Sequence, residues 1–313
     1  MADIDTNIKE ETVTGASDKP MKYKKRRRTA KEWIASVSFL SPSFIGAVVF
    51  FVAPFGVVIY YSLINNIIGR EFVGLQNFKN VLTNSAFQQA AKNTATFSLI
   101  SVPLAIILSL VMALVLEQNI PMRSQFRTFF LSPLMVPVAS VVLIWQVLFD
   151  YHGVVNEALV FCGGDPIDWF KSSQAQIVVM ILFLWKNLGY NMILFMSALA
   201  AIPKDVLEVS YIDGANSWRQ FWYIKFRYIT PTIFFVGIMS LINSFKVFRE
   251  VYLLTGDYPY DSLYMLQHFM NNTFKSLDYQ KLSAAAIIMC LVMIVVIGGL
   301  FIAENKIGKD VEG

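Results

Sequence analysis

Apolar residues gather in six long runs, at about 38–63, 94–116, 129–149, 177–200, 231–245 and 283–303, with polar stretches between them. A hydrocarbon core about 30 Å thick demands about 20 such residues per crossing. The fifth run is short and is expected to extend on both sides. The pattern predicts an all-α, polytopic membrane protein with six transmembrane helices over residues 37–303. Short helices are expected in the first outer loop, from Gln76 to Leu82. Residues 117–127 read as a tight inner turn, and 150–176 and 246–282 as outer loops. Each loop is too short to bury a core of its own, so a single membrane domain is the economical division.

Composition agrees, with 56% hydrophobic residues and a mean hydropathy of +0.53. Lys22, Lys24, Lys25, Arg26, Arg27, Arg28 and Lys31 precede the first run. Basic residues at that place hold an N-terminus in the cytoplasm. Residues 1–36 are therefore expected to be a basic, largely disordered cytoplasmic tail. Six crossings would return residues 304–313 to the same side. Directly before a membrane helix, the basic cluster reads as a topology signal and an anionic-lipid contact rather than a nucleic-acid site. Cys162 and Cys290 suggest no disulfide framework, and His152 and His268 lie in separate loops with no ligand partner nearby. The phosphate-cradling pattern Gly-x-x-x-x-Gly-Lys-Ser/Thr is absent, and no nucleophile–base pair supports an enzyme. Any ATP that drives this chain, with its Mg, is expected on another subunit.

Between the fourth and fifth runs lies a loop dense in local signals, at about 203–230. Pro203 suits a first helical position, and Gly214 suits a left-handed helix stop. Ser217 followed by Gln220 has capping-box spacing for a second helix. Val206, Leu207 and Tyr211 recur near one helical turn and predict an apolar stripe. A stripe of this kind fits a groove on a partner or the chain's own membrane helices. Trp218, Trp222, Tyr223 and Tyr228 beside Arg219, Lys225 and Arg227 read as an interfacial lead-in to the fifth span.

The spacing of Glu208, Gly214 and Ile224 resembles the "EAA" loop of ATP-binding-cassette importer permeases. Val209 and Ser210 stand where that family has two alanines, and Phe226-Arg227 where it has Leu-Pro. Gly74-Leu75-Gln76-Asn77-Phe78, Phe126-Arg127-Thr128, Gly153 with Asn156, and Leu253-Leu254-Thr255-Gly256 are similar to the carbohydrate branch, of maltose-transporter type. The resemblance covers roughly residues 40 to 303. It implies the type I importer permease fold in a bacterial cytoplasmic membrane. The implied partners are a second homologous permease, two copies of a cytoplasmic ATPase and an extracellular solute-binding protein. The first loop helix becomes the coupling helix, with Asp205, Val206, Leu207, Glu208, Ser210, Tyr211, Asp213, Gly214 and Ala215 as the ATPase-facing set.

Polar residues inside the spans mark the pathway. Lys186 sits near the middle of the fourth, where a charge costs at least ~2.5 kcal/mol. It should face a watery cavity or a partner carboxylate. Asn187, Gly189, Tyr190 and Asn191 follow it, and Ser240, Asn243, Ser244 and Lys246 punctuate the fifth. The family's sugar site falls on these two spans, and its fifth-span positions match Ser240, Asn243, Ser244 and Val247. Ser and Asn also bond neighbouring helices in membranes, so both roles stay open. Ser283 and Ala284 to Ala286 read as a close helix contact. Lys186, Lys246 and Arg249 are compatible with a partly anionic ligand, for example a uronate oligosaccharide, and a glycerol phosphoester or other anionic solute remains an alternative substrate. An ion-coupled secondary transporter is the other class, but the predicted spans hold no Asp or Glu to couple ions.

Overall fold

Ahead of the second apolar run, the side chain of Asn84 accepts from Phe87 N and caps a helix of 33 residues, Ser85–Glu117. In the computed structural model, residues 30–118 and 120–308 are described. The basic cluster from Lys22 to Arg28, the rest of the terminal tail before residue 30, and residues 309–313 lie outside them. Helices, in order, are α1 (Ala30–Ala47), α2 (Ala53–Ser62), α3 (Gln76–Leu82), α4 (Ser85–Glu117), α5 (Arg123–Leu131), α6 (Val138–Leu148), α7 (Val154–Phe161), α8 (Ala175–Ala200), α9 (Lys204–Ile212), α10 (Ser217–Gln220), α11 (Phe226–Phe245), α12 (Phe248–Thr255), α13 (Leu266–Lys275) and α14 (Tyr279–Gly308). The only β pairing among the described residues is an isolated bridge between Ile64 and Phe72.

The chain divides into two units, residues 1–54 and 55–313. In the first, α1 leads into a π-helical turn, Val48–Val52. In the second, α4, α8 and α11 pack on one another, and α14 packs on α11, α3 and α13. Three buried clusters hold this unit. One, around Trp145, Leu182 and Val251, joins α4, α6, α8 and α12. A second, around Phe195, Ile202 and Ile229, joins the far halves of α4 and α8 to the start of α11. The third sets Val81 and Phe87 against Phe269, Ala284 and Ala285. Ser283, Ala284 and Ala285 are buried, so this small-residue stretch does form a close contact.

Five helices are long and apolar enough to cross a membrane: Val37–Ser62, Ser85–Glu117, Ala175–Ala200, Ser217–Thr255 and Tyr279–Lys306. The third apolar run does not form the straight helix expected over 129–149. Arg123–Leu134 and Val138–Leu148 form a pair bent by 99°. Pro133 and Pro137 stand at the break, and each lacks the N–H that would continue a helix. The outer loop expected over 246–282 is also largely helical, holding α12 and α13. It begins as an extension of the fifth span, which runs to Thr255.

The signature residues outside the spans are structural anchors. Asn77 Nδ2 donates to the carbonyls of Ser62 (3.0 Å) and Ile64 (2.8 Å), fastening α3 to the end of α2. Asn156 Nδ2 donates to Tyr151 O (2.9 Å) and Ile167 O (2.8 Å), while its Oδ1 accepts from Ile167 N and Trp169 Nε1. At Gly153 a Cβ would lie 2.5 Å from Val147 O, which explains the glycine. Cys162 and Cys290 are free thiols.

Candidate functional site

Two features stand apart along the same two spans. The first is the loop after α8. Helix α9 begins at Lys204, with Pro203 one place outside the helix rather than its first residue. It ends in a Schellman arrangement: Gly214 N donates to Tyr211 O (3.0 Å) and Ala215 N to Ser210 O (2.9 Å). Gly214 has φ +78°, the left-handed conformation expected from the sequence. The start of α10 departs from the capping-box reading. Asn216 is extended, and its side chain accepts from Arg219 N (2.9 Å), so Ser217 is already helical. Gln220 instead reaches across to α9, donating to Leu207 O (3.2 Å) and Ser210 Oγ (2.8 Å). These bonds clamp the two loop helices together.

The apolar stripe is also redistributed. Leu207 turns inward onto the cluster around Ile202 and Ile229. The open apolar face is Val206, Val209, Tyr211 and Ile212, with Ile212 82% exposed. Asp205, Glu208 and Asp213 are exposed beside it, Ser210 and Ala215 are half-buried, and Gly214 is exposed. The stripe therefore splits: Leu207 packs on the chain's own helices, and Val206 and Tyr211 face outward. Val209, a departure from the family pattern, widens the open face.

The second feature is a cavity of about 550 Å³ among α8, α11, α12 and α13. Of the ten pathway residues expected from sequence, Lys186, Asn187, Asn243, Lys246 and Val247 line it. Lys186 Nζ forms an ion pair with Glu250, whose side chain is 7% exposed. The sequence expectation of a watery cavity or a carboxylate for Lys186 is met by both at once. Asn243 Nδ2 donates to Asn187 Oδ1 (2.9 Å), and Asn187 Nδ2 to Phe183 O (2.8 Å).

The other five sit elsewhere. Asn191 Nδ2 donates to Ser240 Oγ (3.0 Å), and Ser244 Oγ shares a 2.8 Å hydrogen bond with Ser98 Oγ. All four are buried interhelical ties. At Gly189 a Cβ would lie 1.8 Å from Phe130 O, so this glycine lets α5 press against α8. Tyr190, 38% exposed, is not part of the lining. Sequence reasoning missed Glu250 and Gln267 because it placed both in an outer loop. The i to i+4 spacing of Lys246 and Glu250 was the available helical signal. The absence of a carboxylate from the fifth span is likewise corrected, since that helix continues through Glu250.

A helical bundle crossing the membrane, with a polar cavity at its centre and a projecting loop at one end, defines a transport permease. Residues 101–307 match the family "Binding-protein-dependent transport system inner membrane component", and the chain belongs to that family. It is 30% identical to the "Probable ABC transporter permease protein YesP" of Bacillus subtilis, over 88% of this chain and 90% of that one. It is 30% identical to the "Multiple sugar-binding transport system permease protein MsmF" of Streptococcus mutans, over 88% and 95%. Among solved structures, a chain of a bacterial ABC transporter "involved in the import of the acidic polysaccharide alginate" superposes with a TM-score of 0.77. It shares 20% identity over 88% of this chain and 96% of that one, a likeness of fold.

Proposed function

We propose that this chain forms half of the translocation pathway of an ATP-driven importer for a carbohydrate, an oligosaccharide by preference. The observation that carries the proposal is one chain joining a polar cavity to a projecting, clamped helix through the same two spans. Amides at Asn187 and Asn243 suit the hydroxyls of a sugar, and the exposed apolar side chain of Leu134 suits a ring face. The name of the sugar-system relative from Streptococcus mutans supports the substrate class.

Helix α9 couples to a cytoplasmic ATPase that binds ATP and Mg, present in two copies. Its open face of Val206, Val209 and Ile212 enters a groove there, with Glu208 as a charged contact and Gly214 turning the chain back. A second permease, homologous to this one, completes the pathway, and an extracellular solute-binding protein delivers the sugar. The protein lies in a bacterial cytoplasmic membrane with both termini in the cytoplasm. The test is uptake of an oligosaccharide panel by cells lacking the chain. Loss of uptake for one oligosaccharide class is expected. Unimpaired uptake of every saccharide, with loss of an unrelated solute, would refute the substrate class.

A further inference from the structure

The charges around the cavity do not balance. Lys186 is matched by Glu250, which is buried and committed to that pair. Lys246 and Arg249 also line the cavity, are exposed to its solvent, and have no carboxylate partner among the described residues. Glu250, four residues after Lys246, would be the local neutraliser on a helix, and it is turned to Lys186 instead. The opening therefore presents two uncompensated cations. They stand beside a wall formed by Leu134, Leu182, Phe183 and Val247. A cleft with one sign of charge and low-dielectric walls focuses its field on the solute inside it.

We infer that the cavity is built for a carboxylate-bearing oligosaccharide, whose acid group is held by Lys246 and Arg249 while Asn187, Asn243 and Gln267 serve its hydroxyls. This rests on the carbohydrate reading above and narrows it. Arginine offers a planar fork that meets a carboxylate through two parallel bonds, and lysine adds a mobile point charge. The Lys186–Glu250 pair supplies no net charge, so it orients polar groups without competing for the acid. A phosphoester shares the anionic chemistry, and the cavity's additional apolar wall and amides favour the larger, ringed solute.

The test titrates the complete transporter, with its permease and ATPase partners in lipid nanodiscs. The probes are trigalacturonate, trimannuronate and triglucuronate, the carboxyl-reduced form of each, and glycerol 3-phosphate. Charge-assisted hydrogen bonds set the expected scale at about 10- to 100-fold. At least one triuronide should bind by that margin over its reduced form, and the preference should shrink as salt is raised. Lys246→Gln and Arg249→Gln should each remove most of the preference, and Arg249→Lys should restore part of it. Co-purification of the partners shows that the variants assemble. Equal or tighter binding of the reduced forms, unchanged in both glutamine variants, overturns the carboxylate inference and leaves a neutral-sugar permease. Binding of glycerol 3-phosphate with none of the trisaccharides overturns the carbohydrate reading itself.

Discussion

Removing the Glu250 carboxylate should destabilise the protein through the lysine it leaves behind. Lys186 is 22% exposed and Glu250 7%, so the pair sits at the edge of the cavity with little water to screen it. Breaking a fully buried ion pair by deleting one partner costs about 3–5 kcal/mol. With the ammonium still touching cavity water, about 2–4 kcal/mol is the better scale for Glu250→Ala. At about 2 °C per kcal/mol for a chain of this size, the unfolding midpoint should fall by about 4–8 °C. Replacing both charges, Lys186→Met with Glu250→Leu, leaves no orphan and should recover most of that loss. A thermal-unfolding cycle over the wild type, two single variants and the double variant measures the coupling. A Glu250→Ala midpoint within 1 °C of wild type, or a double variant no more stable than the worse single, would refute the reasoning.

Three further outcomes follow from the geometry. Gly214→Asp places a side chain at φ +78° into open space, so the cost within the chain is about 1 kcal/mol; insertion should persist while ATPase co-purification and uptake fall, and unchanged values for both would count against the coupling role. Asn243→Leu removes an amide from the cavity and its 2.9 Å bond to Asn187, and should lower uptake about tenfold without weakening ATPase association; wild-type uptake kinetics would take Asn243 out of the site. His268 is fully buried between Phe248 and Tyr264, and burial lowers its pKa from 6.5 to about 4. The unfolded chain then takes up a proton that the folded one refuses, so stability declines as pH falls from about 6.5 towards 4, by about 3 kcal/mol in all. Denaturation midpoints across that range should show the loss in wild type and a flatter profile in His268→Phe.

Most of the membrane architecture was legible because the bilayer writes it into long apolar runs. Gly214 was equally legible, since few residues other than glycine tolerate its backbone angles. What escaped was set by tertiary packing. The break near Pro133 and Pro137 could be read as an interruption, but neither its 99° angle nor the close approach of Phe130 to Gly189 is written in the local sequence. Asn191, Ser240 and Ser244 looked like sugar ligands, and period alone could not say that each faces another helix. Glu250 was hidden by an early loop boundary, because the apolar signal fades after residue 245 while the helix runs on. The inward turn of Leu207 likewise depends on Ile202 and Ile229, residues it meets only after folding.

From Ser217 to Thr255 the backbone runs as 39 residues of apolar helix, about 58 Å at the usual rise. Its first turn is locked to α9 through Gln220, and its last third carries Asn243, Lys246 and Glu250. Such a rod can act as a lever whose two arms are the projecting-loop end and the cavity end. A push at one end arrives at the other without passing through any loop. The rod's regular hydrogen bonding is interrupted at three joints, the π turn at Phe221–Lys225, Pro231 and the turn at Lys246–Val247. Stiffening any of these joints would change how far a displacement at one end carries to the other while leaving both ends chemically intact.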